Sequence, residues 1–255
     1  MKKYEGILLC TDVDGTLADR SGNANISREN ICAVKYFMEN GGLFTLATGR
    51  QKRFTKQLDQ VFKINAPMIA INGTTVIDES GKLLYANGLP REAIGDIREI
   101  YRNFPIMRES HIRSLDSQNI YMMQNGEMVP IQESQGPWYK CIFLFEEEKD
   151  CVNFQRNLID RYAGRYEFDR SWPIEVEMHA KGSGKGDAVR FLRKYYGNQV
   201  DKIICVGDYE NDITMLEEAD IGIAVENAPE SVKAVADKIT VSCDENAIAK
   251  IIYEL

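Results

Sequence analysis

Ile7-Leu8-Leu9-Cys10-Thr11-Asp12-Val13-Asp14-Gly15-Thr16-Leu17 is the first of two stretches that reveal the architecture of this chain. The second is Ile203-Ile204-Cys205-Val206-Gly207-Asp208-Tyr209-Glu210-Asn211-Asp212. Each is a short apolar run followed by carboxylates with a glycine beside them. This pattern is typical of a buried parallel strand that carries charge to the carboxyl edge of a sheet. Two such strands can build one pocket of oxygen ligands, which suits Mg²⁺. A divalent cation beside a fixed carboxylate is the basis of phosphoryl-transfer chemistry.

The bulk composition indicates a soluble protein with a sizeable core. The chain has 255 residues, which is long for one ordinary domain and comfortable for two. Its hydrophobic content is 44% and its charged content is 27%. A net charge of −8 argues against a phosphate-backbone binder, so no nucleic-acid partner is expected. A small anionic substrate is still allowed, because local positive groups or a metal can bind it.

The cysteines and the amino-terminal residues indicate a cytoplasmic protein. None of the six cysteines lies in a C-x-x-C pair, and a disulfide framework is not expected. The apolar run after the basic start covers only Ile7 to Cys10, which is too short for a secretory signal. No stretch approaches the roughly 20 apolar residues of a membrane span. We therefore expect no membrane partner, and no obligate protein partner is evident.

Strand and helix signals alternate at both ends of the chain. In the first third, strands are predicted at 6–11, 43–47, 67–71, 75–78 and 82–85, with helices after Ser27 and around Phe54, Leu58, Val61 and Phe62. In the last third, helices are predicted at 185–196, 211–218, 229–236 and 246–255, and strands at 202–206, 221–225 and 238–241. This alternation predicts an α/β fold with a parallel sheet that is covered on both faces.

The middle of the chain has a different pattern. Helices are predicted at 91–104 and 147–162, and strands at 119–124, 138–145, 165–169 and 174–178. This mixture indicates a small α+β insert within the α/β domain. The predicted domains are residues 1–84 with 182–255 as the core, and residues 85–181 as the insert.

Asp12 and Asp14 have the positions of a catalytic pair. Residues two apart at a strand end point the same way, so both carboxylates can face one site. An aspartate with an ordinary pKa of about 3.9 is ionised at neutral pH and needs no base to act as a nucleophile. The second aspartate can protonate a leaving oxygen and later take a proton from water. A helix cap and turn would explain a lone D-x-D, but D-G-T after a buried strand favours chemistry.

Two further segments carry groups that suit a phosphate. Thr48 and Gly49 follow an apolar strand and can form a cradle at a helix start, whereas Arg50 is equally a substrate or a structural cation. Lys185 follows a glycine-rich approach that is not a P-loop, because Gly186 comes next; a flexible loop is the alternative.

The second acidic stretch supplies groups for a metal and its surroundings. Asp208 can bind a metal directly, while Asn211 and Asp212 can hold phosphate, lysine or metal-bound water. A capped helix with acidic first-turn residues is the alternative. His111 and His179 are the only histidines, and we expect them to pack or face solvent rather than build a triad or a zinc site.

These motifs occur in an order that belongs to a known family. They are D-x-D-G-T-L at 12–17, A-T-G-R at 47–50, I-N-G at 71–73, Lys185, and G-D-x-x-N-D at 207–212. The chain resembles the haloacid dehalogenase-like superfamily, in its Cof-type (subfamily IIB) phosphatase branch. The resemblance covers essentially the whole chain. It implies a Rossmann-like three-layer core and a C2-type cap over residues 85–181 that closes over substrate and sets specificity.

The resemblance also implies residue roles. Asp12 would be the nucleophile that forms an aspartyl-phosphate, and Asp14 would be the general acid/base whose backbone carbonyl also binds Mg²⁺. Asp12 and Asp208 would bind the metal directly, with Asp212 behind them. The phosphate would be held by Thr48, Gly49, Lys185 and Asn211.

The leading hypothesis is a Mg²⁺-dependent phosphatase for a small phosphorylated metabolite, with sugar phosphates as one class. A phosphomutase of the same fold is the first alternative. A receiver module that accepts phosphate and regulates a partner is the second, although such modules are about half this length and lack a cap. Composition alone suggests Arg108, His111 and Arg113 of the insert as substrate contacts.

Overall fold

The structure is a computed structural model that describes residues 2–51, 58, 61–104, 109–113, 120–124, 127–128, 137–162 and 164–255. For the short strands between residues 109 and 128 it describes the backbone alone. The chain divides into two compact units, Met1–Tyr85 with Gly184–Leu255, and Ala86–Ser183.

The described elements alternate at the two ends of the chain, as predicted. The strands are β1 (Ile7–Thr11), β2 (Leu43–Leu46), β3 (Met68–Ala70), β4 (Thr75–Ile77), β5 (Leu83–Ala86), β6 (Glu109–Arg113), β7 (Ile120–Gln124), β8 (Glu127–Met128), β9 (Lys140–Leu144), β10 (Tyr166–Trp172), β11 (Glu175–Ala180), β12 (Lys202–Gly207), β13 (Ile221–Ala224) and β14 (Lys238–Ile239). The helices are α1 (Arg28–Glu39), α2 (Ala93–Asn103), α3 (Glu148–Tyr162), α4 (Lys185–Tyr196), α5 (Ile213–Glu218), α6 (Glu230–Lys233) and α7 (Ala247–Glu254).

The first unit is built on a parallel sheet of order β14-β13-β12-β1-β2, which confirms the predicted α/β fold. β1 and β12 are neighbours in register, with Cys10 opposite Cys205. Both strands are buried from their second residue onward, which is why they are near-continuous apolar runs. Because parallel neighbours end at the same edge, this register brings the two acidic stretches together.

Side-chain hydrogen bonds stabilise the helices that pack around this sheet. Ser27 caps α1 as predicted, since its hydroxyl accepts a hydrogen bond from the Asn30 amide at 3.1 Å. The Asn30 carboxamide oxygen in turn accepts from the Ala249 amide at 2.9 Å, which ties α1 to α7. Leu58 and Phe62 are buried as expected, whereas Phe54 lies outside the described residues.

A small antiparallel sheet of order β3-β4-β5 adjoins the parallel one, and an isolated parallel bridge joins Ala47 to Ile69. The predicted hairpin turn is present. Its carboxylate, Asp78, accepts hydrogen bonds from the Ser80 and Lys82 amides, both at 2.9 Å. Such an aspartate turn is a frequent way to close a short hairpin loop.

The second unit has a six-stranded antiparallel sheet of order β10-β11-β9-β6-β7-β8. Alternate residues of its strands, such as Phe143, Val176 and Met178, form a core with Ile97 of α2 and Phe154 of α3. The buried charges of Lys140 and Glu177 are paired, because the Lys140 ammonium lies 2.5 Å from a Glu177 carboxylate oxygen, which fits the rule that buried charges are compensated.

Several elements differ from the sequence prediction. β6 and β8 were not predicted; the β6 segment holds a single apolar residue, Ile112, so it lacks the alternation that marks a strand. The predicted helix at 211–218 begins as a separate 3₁₀ turn, Glu210–Asp212. The predicted helix at 229–236 is the shorter α6, Glu230–Lys233. It begins only after Pro229, which is the N-cap residue in an extended conformation.

Candidate active site

Asp12 follows β1 directly and is only 7% exposed. Its amide donates to the Val206 carbonyl of β12 at 2.9 Å, so the neighbouring strand fixes the backbone from which the carboxylate projects. Gly15, two residues beyond Val13, has φ +90° and lies against the other acidic stretch. A β-carbon on Gly15 would come within 2.4 Å of an Asp208 carboxylate oxygen, so the turn requires glycine.

Lys185, at the start of α4, is the cation of the site. Its side chain is fully buried, and its ammonium lies 2.7 Å from Asp12 Oδ1 and 2.5 Å from Asp212 Oδ1. Burial by itself lowers the pKa of Lys185, but the charges and hydrogen bonds of Asp12 and Asp212 outweigh it and raise the pKa above its ordinary value. The lysine is therefore charged at neutral pH.

Asp12, Asp208 and Asp212 form a buried carboxylate cluster in which one oxygen from each lies within 4.8 Å of the others. Burial raises the pKa of Asp12 well above its usual range; Lys185 opposes this shift, and Asp212 and Asp208 add to it. Burial, followed by the charge of Asp212, raises the pKa of Asp208 to about 7. Two of the three carboxylates thus have raised pKa values although the Lys185 ammonium contacts the cluster, so further positive charge would stabilise their ionised forms.

The donor set fits Mg²⁺. Hard carboxylate oxygens are the ligands that this ion prefers, and Asp12 Oδ2 has no hydrogen-bond partner among the described residues. Asp208 accepts from the Thr16 hydroxyl at 3.2 Å and lies 3.4 Å from the Arg20 guanidinium.

Asp212 has a different environment from the other two carboxylates. Oδ1 receives Lys185, and Oδ2 accepts from the amides of Asp208 and Tyr209 at 2.9 and 3.1 Å. With both oxygens engaged, Asp212 holds the lysine and the turn that carries Asp208. This arrangement suits a position behind the metal ligands rather than among them.

Asp14 points toward Arg50. The guanidinium donates from Nε to Asp14 Oδ2 at 2.7 Å and from Nη2 to Oδ1 at 2.6 Å, a two-point ion pair with both side chains partly exposed. Arg50 also donates to the Gly22 carbonyl at 2.6 Å. The sequence left Arg50 open between a substrate and a structural cation, and the structure shows that it contacts the predicted general acid.

The predicted phosphate cradle follows β2, with Thr48 buried and Gly49 half-buried. Thr48 is 1% exposed, and its hydroxyl accepts from the Arg50 amide at 3.1 Å, across Gly49. Asn211 is 7% exposed, and its side-chain amide donates to the Asn72 side-chain oxygen at 3.3 Å. Asn72 also connects to Thr48, because its backbone amide donates to the Thr48 carbonyl at 3.0 Å.

The structure thus joins the predicted residues into contacting groups. Lys185 contacts Asp12 and Asp212, which share a cluster with Asp208, whereas the Asp14 side chain lies with Arg50. Thr16, Arg20 and Asn72 were not predicted as site residues. Thr16 and Asn72 stand in motifs that the sequence displays, D-G-T and I-N-G, but no pattern marks Arg20.

His179 belongs to the second unit and is buried there. Its Nε2 lies 2.7 Å from Asp169, and its Nδ1 lies 3.0 Å from the Ser183 hydroxyl. Ser183 is fully buried and donates to the Ala180 carbonyl at 2.6 Å, so this set has no accessible nucleophile. His111 and Arg113 lie on β6, where only the backbone is described, and Arg108 lies outside the described residues.

A parallel sheet that ends in a buried cluster of carboxylates and a lysine suits phosphoryl transfer, and the family match makes this chain a phosphoric monoester hydrolase. The chain belongs to the haloacid dehalogenase-like hydrolases, whose family model matches residues 9–252, and the expected Cof-type phosphatase branch is confirmed. The matched family is one of hydrolases, which favours hydrolysis over the mutase and receiver alternatives.

Named relatives span most of this chain. A 5-amino-6-(5-phospho-D-ribitylamino)uracil phosphatase of Bacillus subtilis is 27% identical, over 96% of this chain and 94% of that protein. A pyridoxal phosphate phosphatase of Escherichia coli is 25% identical, over 96% and 97%. A chloroplastic endoribonuclease YBEY of Arabidopsis thaliana is 28% identical over 95% of this chain, which spans only 45% of that protein's length.

A solved structure supports the fold. A haloacid dehalogenase-like hydrolase from Bacteroides thetaiotaomicron superposes with a TM-score of 0.77 at 25% identity, covering 99% of both chains. Within the described residues, no helix combines the length and the apolar character that crossing a membrane requires.

Proposed function

We propose that this protein is a Mg²⁺-dependent phosphatase that hydrolyses a small phosphorylated metabolite through an aspartyl-phosphate on Asp12. The observation that carries the proposal is the contact of the Lys185 ammonium with Asp12 Oδ1 at 2.7 Å inside the carboxylate cluster. This contact engages one oxygen of the nucleophile and leaves Oδ2 without a partner among the described residues. A buried and oriented carboxylate is what attack on a phosphoryl group needs, and bound Mg²⁺ would favour its ionised form.

Asp12 forms the bond to phosphorus, and Asp14 transfers the protons. One carboxylate oxygen of Asp12 attacks phosphorus while the bond to the leaving oxygen breaks, and Asp14, protonated and turned from Arg50, gives that oxygen its proton. Water then attacks the phosphoryl group, Asp14 takes the water's proton, and the bond to Asp12 breaks to release inorganic phosphate. Asp12, Asp208 and the Asp14 backbone carbonyl would hold Mg²⁺, with Asp212 behind them, and the ion would supply positive charge that screens the anionic groups from each other.

The phosphate is held by positive charge and by hydrogen-bond donors. Lys185 supplies the charge, and its place at the first turn of α4 adds the positive end of that helix. The Thr48 hydroxyl, the Gly49 amide and the Asn211 carboxamide supply the donors. Electrostatic stabilisation and positioning of this kind account for most of the catalysis of phosphoryl transfer.

Two relatives support a metabolite as substrate, because their names identify phosphatases of small phosphorylated compounds. The second unit, Ala86–Ser183, is proposed as the cap that selects the substrate, and sugar phosphates are the first class to screen. The cysteines of the described residues are all free, which suits the proposed reducing cytoplasm.

The proposal is tested by phosphate release from p-nitrophenyl phosphate with Mg²⁺, with EDTA, and with Mg²⁺ restored after EDTA. We expect turnover that disappears with EDTA and returns with the metal. Turnover that does not depend on the metal contradicts the proposed Mg²⁺ requirement. Incubation with a hexose 1-phosphate distinguishes the alternative, since a mutase yields the 6-phosphate and a phosphatase yields free phosphate.

Asp14→Asn is expected to slow most the hydrolysis of substrates that have a poor leaving group. An alkoxide must be protonated as it departs, whereas nitrophenolate leaves unaided, so the general acid matters chiefly for alkyl phosphates. We expect kcat/KM to fall by about 10²-fold or more on an alkyl phosphate and much less on p-nitrophenyl phosphate. kcat/KM is the right quantity because it reports events only up to departure of the leaving group.

Asp19→Asn is the matched control, because Asp19 lies in the same loop and its side chain bonds Ser21 and Asn25. Asp19→Asn should leave kcat/KM close to the wild-type value on both the alkyl phosphate and p-nitrophenyl phosphate. Equal losses on both substrates in Asp14→Asn would contradict the assignment of Asp14 as general acid.

A further inference from the structure

The I-N-G segment that follows β3 has a strained backbone. Ile71, Asn72 and Gly73 have φ values of 50°, 55° and 89°, three consecutive left-handed residues. Among the described residues only two other non-glycine positions, Ala24 and Asn246, have positive φ. A β-branched isoleucine in this region is costly, and strain of this kind persists where the surrounding structure enforces it.

With this left-handed backbone, the segment lies against the start of α4. A β-carbon on Gly73 would lie 2.2 Å from the Gly184 carbonyl oxygen and 2.5 Å from the Lys185 amide nitrogen. No side chain fits there, so the backbone of the I-N-G segment supports the turn from which Lys185 projects.

The same segment is bonded to the phosphate cradle. The Ile71 amide donates to the Arg50 carbonyl and the Asn72 amide donates to the Thr48 carbonyl, both at 3.0 Å. These two bonds flank Gly49 and fix the loop in which Thr48 and Gly49 lie. The segment is thus in contact with two of the regions that the proposed function assigns to phosphate.

The Asn72 side chain reaches a third region. It is 1% exposed, and its oxygen accepts from Asn211 Nδ2 at 3.3 Å. This bond fixes which end of the Asn211 carboxamide faces Asn72. The second hydrogen on Asn211 Nδ2 has no acceptor among the described residues, so a ligand oxygen can receive it.

We propose that Asn72 is a positioning residue that orients the Asn211 carboxamide toward the phosphoryl group. The inference rests on the proposed function and deepens it, because it assigns a role to a motif that the catalytic residues leave unexplained. Asn72 acts through Asn211, and its left-handed backbone places its side chain where a residue in an ordinary strand conformation would not.

The test is calorimetric binding of inorganic phosphate in the presence of Mg²⁺ to the wild type, Asn72→Gly, Asn211→Ala and the double variant. Glycine keeps the left-handed backbone at no steric cost and deletes only the side chain. We expect Asn72→Gly to weaken phosphate binding by about tenfold, the scale of one buried hydrogen bond with its orienting effect. In the Asn211→Ala background the same change should cost less than about twofold, because the residue through which it acts is gone.

Asn246→Gly is the matched control, since Asn246 is another asparagine with a left-handed backbone (φ 62°). It should leave phosphate binding unchanged. If Asn72→Gly does not fold, Asn72→Leu keeps the side-chain volume and removes the acceptor for Asn211, and it should weaken phosphate binding by about tenfold as well.

Three results would overturn the inference: unchanged phosphate binding in a folded Asn72 variant, full additivity in the double variant, or no phosphate binding by the wild type. Failure of the phosphatase assay is a separate result, because binding is measured without turnover. A coupled Asn72–Asn211 pair in a protein without turnover would keep the inference and reject the proposed hydrolysis.

Discussion

Asp12→Asn is expected to abolish turnover while preserving the fold. The amide keeps the size of the side chain but cannot attack phosphorus, so the covalent step is lost. Removing a nucleophile of this kind lowers kcat by at least about 10³-fold. Stability should change little, because Lys185 keeps its 2.5 Å contact with Asp212 and one carboxylate leaves a cluster that holds too many.

The measurement is phosphate release together with a thermal unfolding curve. Asp160→Asn, the same chemical change at an exposed position of α3, is the control and should match the wild type in both. Acid-quenched wild type mixed with substrate should carry the mass of one phosphoryl group, and the variant should not. Substantial turnover in folded Asp12→Asn would place the nucleophile elsewhere.

The fold could be predicted from the sequence where burial leaves a strong pattern. β1 and β12 are buried on both faces, so their apolar runs are unambiguous, and the carboxylates that follow mark where each strand ends. β6 shows the opposite case. It lies between β9 and β7 in its sheet, yet its sequence E-S-H-I-R has no alternation, so its strand state depends on its neighbours and not on its own residues.

The site could be predicted as a set of residues but not as a network. Position at a strand end indicates that Asp12 and Asp208 share an edge, and the cluster bears this out. Which cation contacts which carboxylate depends on side-chain packing between residues far apart in sequence. Arg50 and Asp14 are separated by 36 positions, and Lys185 and Asp12 by 173. Arg20 was missed because no pattern in the sequence marks it. Asn72 stands in the I-N-G motif, but its contact with Asn211 depends on a left-handed backbone that the motif alone does not reveal.

Lys185→Met is expected to destabilise the protein as well as inactivate it. Methionine matches the length of the lysine's aliphatic stem but leaves Asp12, Asp208 and Asp212 without their buried ammonium. Breaking a buried ion pair by removing one partner costs about 3–5 kcal/mol, because the remaining charges are left uncompensated. In a protein of this size such a loss lowers Tm by about 10 °C. Lys194→Met, on the same helix but exposed, is the control and should unfold like the wild type.

A second substitution that removes a negative charge distinguishes two explanations for the expected instability of Lys185→Met. If uncompensated carboxylates are the cause, Lys185→Met with Asp12→Asn should unfold at a higher temperature than Lys185→Met alone, although it carries one more change at a buried position. Lost packing of the lysine stem predicts the opposite, because the second substitution restores no contact. A double variant no more stable than the single one would therefore reject the electrostatic account of Lys185, and neither variant should release phosphate.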